Sequence, residues 1–201
     1  MPSDASVISV HSVAEAYLYL LATPCRDCRK GTLKQQNDLT KTGPGSSDWV
    51  LEARCASCGS GHSFRFAIRP SPSREQARSD CINPTPERSQ AIDLLGWLTL
   101  FQTILAASGR ESDKGAGRQL ASEAAQCLDE ALKFYESDQE LPGPNAFFSE
   151  SARQRYETHP QHFARSKWLE RRLRLPAVAA ETHSEPSGGK RRWWQFWRGE
   201  P

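Results

Sequence analysis

The chain has 201 residues, of which 37% are hydrophobic and 25% are charged, and its formal net charge at neutral pH is +2. This length suffices for one medium-sized domain or two small ones, but the hydrophobic fraction is low for a chain that is packed throughout. A net charge so close to zero excludes a strong overall attraction to nucleic acid, so any basic surface has to be local.

The N-terminal residues and the apolar stretches indicate in which cellular compartment the protein is expected. MPSDASVISVHSVAEAY has neither a positively charged start nor a continuous apolar segment, so it does not resemble a secretory signal. We therefore expect a cytoplasmic protein whose thiols stay reduced. The most apolar stretch, AIDLLGWLTLFQTILAA, is short and carries Asp93 and Gln102, which favours a buried helix over a membrane-spanning one.

Residues 1–68 predict a helix followed by three antiparallel strands. Ser12 and Glu15 have the spacing of a capping box, and Pro24 marks the end of the helix that it begins. Alternating apolar and polar residues, with a Gly/Pro/Ser loop between the first two segments, predict strands within GTLKQQNDL, DWVLEARC and HSFRFAIR.

Residues 69–87 contain four prolines and scattered charges, and we interpret them as a linker. Residues 88–175 then predict a small all-α domain. Apolar residues recur at helical spacing from Ile92 to Leu105 and from Leu120 to Phe134, and two shorter helices are expected at about 148–157 and 160–174. The sequence predicts an α+β protein overall, with a disordered segment at 176–201.

The two long helices form a predicted antiparallel hairpin. Together with the stretch CLDEALKFYE, this hairpin resembles a single tetratricopeptide-type unit. No second copy follows at a fixed period, so the sequence does not predict a repeat array.

Four of the six cysteines stand in two matched C-x-x-C pairs, CRDC and CASC. Zinc binds four ligands in a tetrahedron, and a tight turn with this spacing can supply two of them. A second turn of the same kind, returned by a hairpin, can supply the other two. Gly59 directly after the second pair suits such a turn, because glycine tolerates a positive φ.

These stretches, CRDCRKG and CASCGSGHSF, resemble the two knuckles of a zinc ribbon. The resemblance covers roughly residues 12–68. It implies that Cys25, Cys28, Cys55 and Cys58 are the metal ligands. The 26 residues between Cys28 and Cys55 exceed the usual spacing, and the TKTGPGSS loop accommodates the excess.

Several alternatives to a structural zinc site stay open. Iron in an all-sulfur site uses the same geometry, and two disulfides would need an oxidising compartment. His62 is interpreted as a polar surface residue, with replacement of one cysteine ligand as the alternative. A catalytic zinc normally keeps an open position for water, whereas four thiolates close the site, so a structural role is favoured.

The other sequence features give little support to an enzyme. The chain contains no phosphate-binding, nucleophile-elbow or zinc-protease motif, and its five histidines are scattered. Cys81 is expected to be an exposed bystander and Cys127 to lie in the core of the second long helix. The basic residues between 153 and 174 are interpreted as a solvated helix face, with phosphate contact as the alternative.

The segment KRRWWQFWRGEP is of a different kind, since it holds three of the six tryptophans within basic surroundings. Tryptophan and arginine are frequent in hot spots of protein interfaces and at anionic membrane surfaces. Stacking on single-stranded nucleic acid and folding back onto the chain are the alternatives. The candidate binding residues are Arg191, Arg192, Trp193, Trp194, Phe196, Trp197 and Arg198.

The sequence thus favours a non-catalytic, zinc-containing interaction or adaptor protein, with a protein partner or a membrane surface contacted through this tail. A nucleic-acid-binding ribbon is the second hypothesis, and a small metal-containing enzyme is the third.

Overall fold

The structure, a computed structural model, describes residues 6–43, 46–69, 82–83 and 85–175. The described residues form two compact units that divide after Ile92. Helices and a five-stranded sheet are both present, as the predicted α+β class requires.

The first unit contains one helix and five strands. In chain order these are β1 (Ile8–Val10), α1 (Val13–Ala22), β2 (Leu33–Gln35), β3 (Thr40–Lys41), β4 (Asp48–Cys55) and β5 (Gly61–Ile68).

The sheet has the strand order β1-β5-β4-β2, and β3 also pairs with β4. β4 and β5 form the long antiparallel hairpin, in which Leu51 stands opposite Phe64. The prediction of three strands is incomplete in two ways. GTLKQQNDL supplies only β2, and the first two residues of the predicted TKTGPGSS loop form β3. β1 adds to the other edge in parallel with β5. A three-residue strand is too short to show an alternating pattern, and the partner of β1 is far away in the sequence.

One face of the sheet is the core of this unit. Leu51, Phe64 and Phe66 on this face are almost completely buried. Tyr19 of α1 packs edge-on against both phenylalanine rings, with centroid separations of 5.7 Å. The helix therefore covers the β4–β5 hairpin and holds it in place next to the cysteine pairs.

The start of α1 confirms half of the predicted capping box. The Ser12 hydroxyl accepts a hydrogen bond from the backbone N–H of Glu15 at 3.1 Å. The Glu15 carboxylate, however, accepts from the backbone N–H of His11 at 2.5 Å and lies 3.0 Å from the His11 ring, rather than returning to Ser12. Both the His11 and Glu15 side chains are buried, so this pair is part of the core.

Residues 88–92, which we predicted at the start of the helical domain, belong to the first unit. We predicted a boundary after residue 87, but Ile82, Ser89 and Ile92 are buried and the units divide after Ile92. The Arg69 guanidinium also contacts Glu87 at 3.0 Å. The proline-rich residues 70–81 lie outside the described residues, and so does Cys81.

The described residues of the second unit, 93–175, form four α-helices and two 3₁₀ turns, at Pro144–Ala146 and Pro160–Phe163. The helices are α2 (Leu94–Ser108), α3 (Lys114–Leu132), α4 (Glu150–Thr158) and α5 (Arg165–Leu173). Each of the four predicted helices is present, but α3 begins earlier than predicted, before Leu120, and α5 begins later. Ala164 has extended backbone angles, which separate the turn at Pro160 from α5.

α2 and α3 form a hairpin, since the Ser108 hydroxyl at the end of α2 donates to the Gly117 carbonyl near the start of α3 at 2.7 Å. Trp97, Phe101 and Ile104 line the buried face of α2. Leu95 and Leu105, two further apolar residues of this helix, are only half-buried. The prediction for Cys127 is confirmed, because it is completely buried on α3. Burial raises the pKa of its thiol well above the usual value.

None of the helices in the part of the chain that the structure describes is long and apolar enough to cross a bilayer.

Asp93 provides a test of how the helical unit is held together. One of its carboxylate oxygens caps α2 by accepting from the Gly96 N–H at 2.8 Å, and the other accepts from the Phe148 N–H at 3.1 Å. Asp113 serves as a comparison, because its carboxylate caps α3 by accepting a hydrogen bond from the Ala116 N–H. We expect Asp93→Ala to lower the free energy of unfolding by about 2 kcal/mol and Asp113→Ala by about 1 kcal/mol.

Urea denaturation followed by helical circular dichroism measures both losses. Equal losses in the two variants would contradict the role assigned to the contact with Phe148.

Candidate metal centre

The two cysteine pairs lie in neighbouring loops of the first unit. Cys25 and Cys28 belong to the loop between α1 and β2, whereas Cys55 ends β4 and Cys58 lies in the turn before β5. β2 pairs with β4 so that Leu33 stands opposite Cys55. This register brings the first loop beside the second turn.

Both pairs adopt the same kind of tight turn. The N–H of Arg29 donates to the Cys25 carbonyl at 2.8 Å, and the N–H of Gly59 donates to the Cys55 carbonyl at 3.0 Å. Arg29 and Gly59, each directly after the second cysteine of its pair, have positive φ angles of 58° and 77°. The prediction for Gly59 is confirmed. The conformation of Arg29 was missed, because arginine gives no sign of a left-handed backbone.

The four sulfur atoms converge, and all lie within 4.8 Å of one another. The Sγ atoms of Cys25 and Cys58 are 3.7 Å apart, and so are those of Cys28 and Cys55. A tetrahedron with zinc–sulfur bonds of about 2.3 Å has edges of about 3.8 Å, whereas a disulfide bond is about 2.0 Å long. The sulfur positions therefore suit one tetrahedral ion, and all four cysteines are free thiols.

Backbone N–H groups point at two of the sulfurs. Gly31 donates to Cys28 Sγ at 3.3 Å, and Ser57 and Cys58 donate to Cys55 Sγ at 3.4 and 3.5 Å. Such contacts stabilise negative charge on sulfur, which is the form that binds a metal.

The thiols differ in their tendency to ionise. Hydrogen bonds from the side chain and backbone of Ser60 lower the pKa of Cys58 to about 6. The backbone N–H groups of Lys30 and Gly31 lower the pKa of Cys28. The backbone N–H of Cys28 favours the thiolate of Cys25, but burial and the neighbouring thiols outweigh it and raise the pKa of Cys25 to about 11. One thiol of each pair thus has a lowered pKa, which favours the thiolate form that binds a metal.

Solvent reaches the site from one side only. Cys25 and Cys55 are buried, at 1% and 2% exposure. Cys28 is half-buried and Cys58 is exposed. The exposed side gives an ion a route to the site, and the buried side joins the site to the core.

His62 lies beside the sulfurs, so its interpretation as a surface residue is wrong. Its Nε2 atom is 3.2 Å from Cys25 Sγ, and its side chain is only 9% exposed. Asp27 lies on its outer side, with an oxygen 3.9 Å from the same nitrogen. The alternation of side chains along β5 could have predicted this position, because it places His62 on the same face as Phe64 and Phe66.

Gly31 leaves room for the second cysteine pair. A Cβ atom at this position would lie 2.2 Å from Cys55 Sγ and 2.9 Å from Ser57 Oγ. Any side chain would therefore push the sulfur out of place. Gly61 differs, since a Cβ there would meet nothing within 4 Å.

The other predicted binding residues, from Arg191 to Arg198, lie outside the described residues. The structure therefore brings together the four cysteines and leaves the aromatic-basic segment as a prediction.

No family model matches this chain, and the comparisons with curated proteins and with solved structures find no match either. The likeness to a zinc ribbon therefore rests on the two turns and their sulfur atoms alone.

A substitution at Gly31 tests the geometry of the site. We expect Gly31→Ala to weaken zinc binding about ten- to a hundredfold, because the new methyl group occupies the space of Cys55 Sγ. Gly61→Ala is the matched control and is expected to leave the affinity unchanged. Competition with a chromophoric chelator measures both affinities, and equal values would show that the turns do not approach as described.

Proposed function

We propose that Cys25, Cys28, Cys55 and Cys58 bind one zinc ion that has a structural role in a non-catalytic interaction or adaptor protein. The observation that supports this most directly is the pair of 3.7 Å sulfur contacts, each of which joins one cysteine pair to the other. A cytoplasmic, reducing environment accompanies this proposal, since the four thiols have to stay free.

Such an ion would act as a cross-link between two loops. The loop from Pro24 to Thr32 includes three exposed basic residues, namely Arg26, Arg29 and Lys30, and contributes few apolar side chains to the core. Its backbone is held by a few hydrogen bonds, among them the one from the Cys25 N–H to the Gly31 carbonyl at 2.9 Å. Binding energy from four sulfur ligands would replace the apolar burial that this loop lacks.

The complete ligand set supports a structural role over catalysis. A catalytic zinc usually has three protein ligands and one water molecule that becomes the nucleophile. Here four sulfur atoms occupy all positions of a tetrahedron. His62, the nearest candidate base, faces Cys25 rather than an open position.

The adaptor role is supported by the sequence of the segment 190–198. Its tryptophans and arginines are the residue types that dominate the binding energy of protein interfaces. The segment 190–198 would then be the docking element of a chain whose first unit is stabilised by zinc.

Metal analysis of the purified protein tests the zinc proposal. We expect about one zinc ion per chain and its loss in Cys55→Ser, whereas Cys127→Ala should keep the metal because it is buried in the helical unit. After chelation, amide protection should fall in residues 6–69 and persist in α2 and α3.

Iron in place of zinc would be seen as visible absorption from sulfur-to-iron charge transfer. A metal-free protein whose N-terminal unit keeps its amide protection would contradict the proposal altogether.

The second candidate function is nucleic-acid binding by the first unit. Lys34 and Arg54 stand directly opposite each other on β2 and β4, although like charges at such positions are unfavourable. Arg29 and Lys30 are exposed, and neither forms an ion pair with any residue that the structure describes. A bound phosphate backbone would relieve this repulsion.

Charge reversal tests this candidate. Replacing Arg26, Arg29 and Lys30 by glutamate should abolish binding to a fluorescent oligonucleotide, and wild-type affinity should fall steeply with salt. Arg118→Glu, an exposed change in the other unit, is the control. Anisotropy titrations without detectable binding at low salt would eliminate the candidate.

A further inference from the structure

A second set of metal-binding atoms converges beside Cys25. The Sγ atom of this cysteine, a carboxylate oxygen of Asp27 and a ring nitrogen of His62 all lie within 4.8 Å of one another. Asp27 belongs to the first cysteine turn, and His62 is the second residue of β5. The first cysteine loop and the strand after the second turn thus supply these atoms, and Cys25 is the one cysteine that belongs to both sets.

Hydrogen bonding alone does not satisfy all three groups. His62 Nε2 is 3.2 Å from Cys25 Sγ and 3.9 Å from an oxygen of Asp27. A ring nitrogen carries at most one proton, so it can donate to the sulfur or to the carboxylate but not fully to both. A metal ion, in contrast, accepts a lone pair from each of the three atoms at once.

The distances suit a tetrahedral ion after a small adjustment. Bonds of about 2.3 Å to sulfur and about 2.0 Å to nitrogen place those two atoms about 3.5 Å apart, and oxygen and nitrogen ligands about 3.4 Å apart. The observed 3.2 Å between Cys25 Sγ and His62 Nε2 is close to the first value. Asp27 lies slightly too far out, but its side chain is 61% exposed and free to rotate inward.

The sheet determines where the histidine nitrogen lies. His62 stands opposite the buried Ala53 of β4, and its ring centroid is 6.2 Å from that of Phe64. Its side chain is only 9% exposed. The strand therefore supplies a fixed nitrogen, and the exposed turn supplies a carboxylate that can adjust to it.

The charge around Asp27 favours a cation. Its carboxylate forms no ion pair with any lysine or arginine among the residues that the structure describes. The guanidinium of Arg26, the preceding residue, lies over the Phe64 ring instead, at 5.2 Å from its centroid. A zinc ion with four thiolate ligands is itself net negative, so a second cation beside Cys25 is attracted both by that charge and by Asp27.

We propose that Cys25, Asp27 and His62 bind a second zinc ion, with the Cys25 sulfur as a bridge to the ion of the four-cysteine site. The proposal rests on the zinc site proposed above, because Cys25 belongs to both. Thiolate and imidazole ligands favour zinc, whereas magnesium and calcium prefer oxygen ligands.

The second ion differs from the first in having only three protein ligands. One position of its tetrahedron is left for water or for a donor group of a partner. It is therefore bound more weakly and exchanges with the solvent, so the purified protein retains one ion and takes up the second when zinc is in excess.

Zinc titration of the full-length chain tests the proposal. Calorimetry and native mass spectrometry are expected to show two zinc ions per chain in excess zinc, of which only the tighter one survives dialysis. Asp27→Asn and His62→Ala should each weaken binding of the second ion about tenfold or more and keep the first. Because the Asp27 side chain is exposed, its variant is expected to fold even if His62→Ala does not.

Two variants of the helical unit are the controls. Asp138→Asn removes an exposed carboxylate, and His159→Ala disrupts the stacked rings of His159 and His162, whose centroids are 5.1 Å apart. Neither should change the affinity for the second ion. With cobalt(II) as the probe, the second equivalent should shift the sulfur-to-cobalt absorption of the first, since both ions contact Cys25, and Asp27→Asn should abolish this shift.

The outcomes separate this proposal from the structural zinc site. A chain that binds a single zinc ion at every zinc concentration, lost in Cys55→Ser, would overturn the second site alone, and His62 would then only donate a hydrogen bond to Cys25. A second ion that both Asp27→Asn and His62→Ala retain, or that His159→Ala loses, would also overturn it. A chain that binds no zinc at all would overturn both proposals.

Discussion

The register of β4 against its two neighbours is the constraint on which the metal centre depends. Cys55 stands opposite Leu33 of β2, and Arg54 opposite Gly61 of β5, so both adjoining loops meet at one end of the sheet. Successive side chains of a strand point to opposite faces, and a slip by one residue would turn Cys55 to the outer face. The buried Phe64 and Phe66 hold this register, because the same slip would expose them. The packing of the apolar core and the position of the sulfurs thus depend on the same strand register.

Two different sequences build the matched turns. In the second turn the Cys55 N–H donates to the Ser60 carbonyl. In the first turn the Cys25 N–H donates to the Gly31 carbonyl, so this turn is one residue longer. The wider first turn would collide with the second if Gly31 had a side chain. The C-x-x-C spacing therefore determines only which atoms are available. The residues after each pair determine whether four sulfurs can approach to bonding distance of one ion.

The sequence predicts best where a pattern is local and repeated. The alternation in DWVLEARC gave β4, and the helical periodicity gave α2 and α3 with small errors at their ends. Contacts between distant segments were not predictable in this way. β1 is three residues long and pairs with a strand more than 50 residues later, and His62 contacts Cys25 only after the sheet has formed. Arg29 adopts a backbone conformation that its side chain does not favour, so no residue preference could indicate it.

The two units are stabilised by different physical effects, and this separates their responses to acid and to chelators. The helical unit buries the large apolar side chains of Trp97, Phe101 and Leu128, so its packing needs no bound ion. In the first unit a metal would bind thiolates, and protons compete for the same sulfur atoms as the pH falls. Acid would therefore weaken the proposed metal cross-link. A protein built in this way would lose the order of its first unit on chelation while the helical unit stays folded.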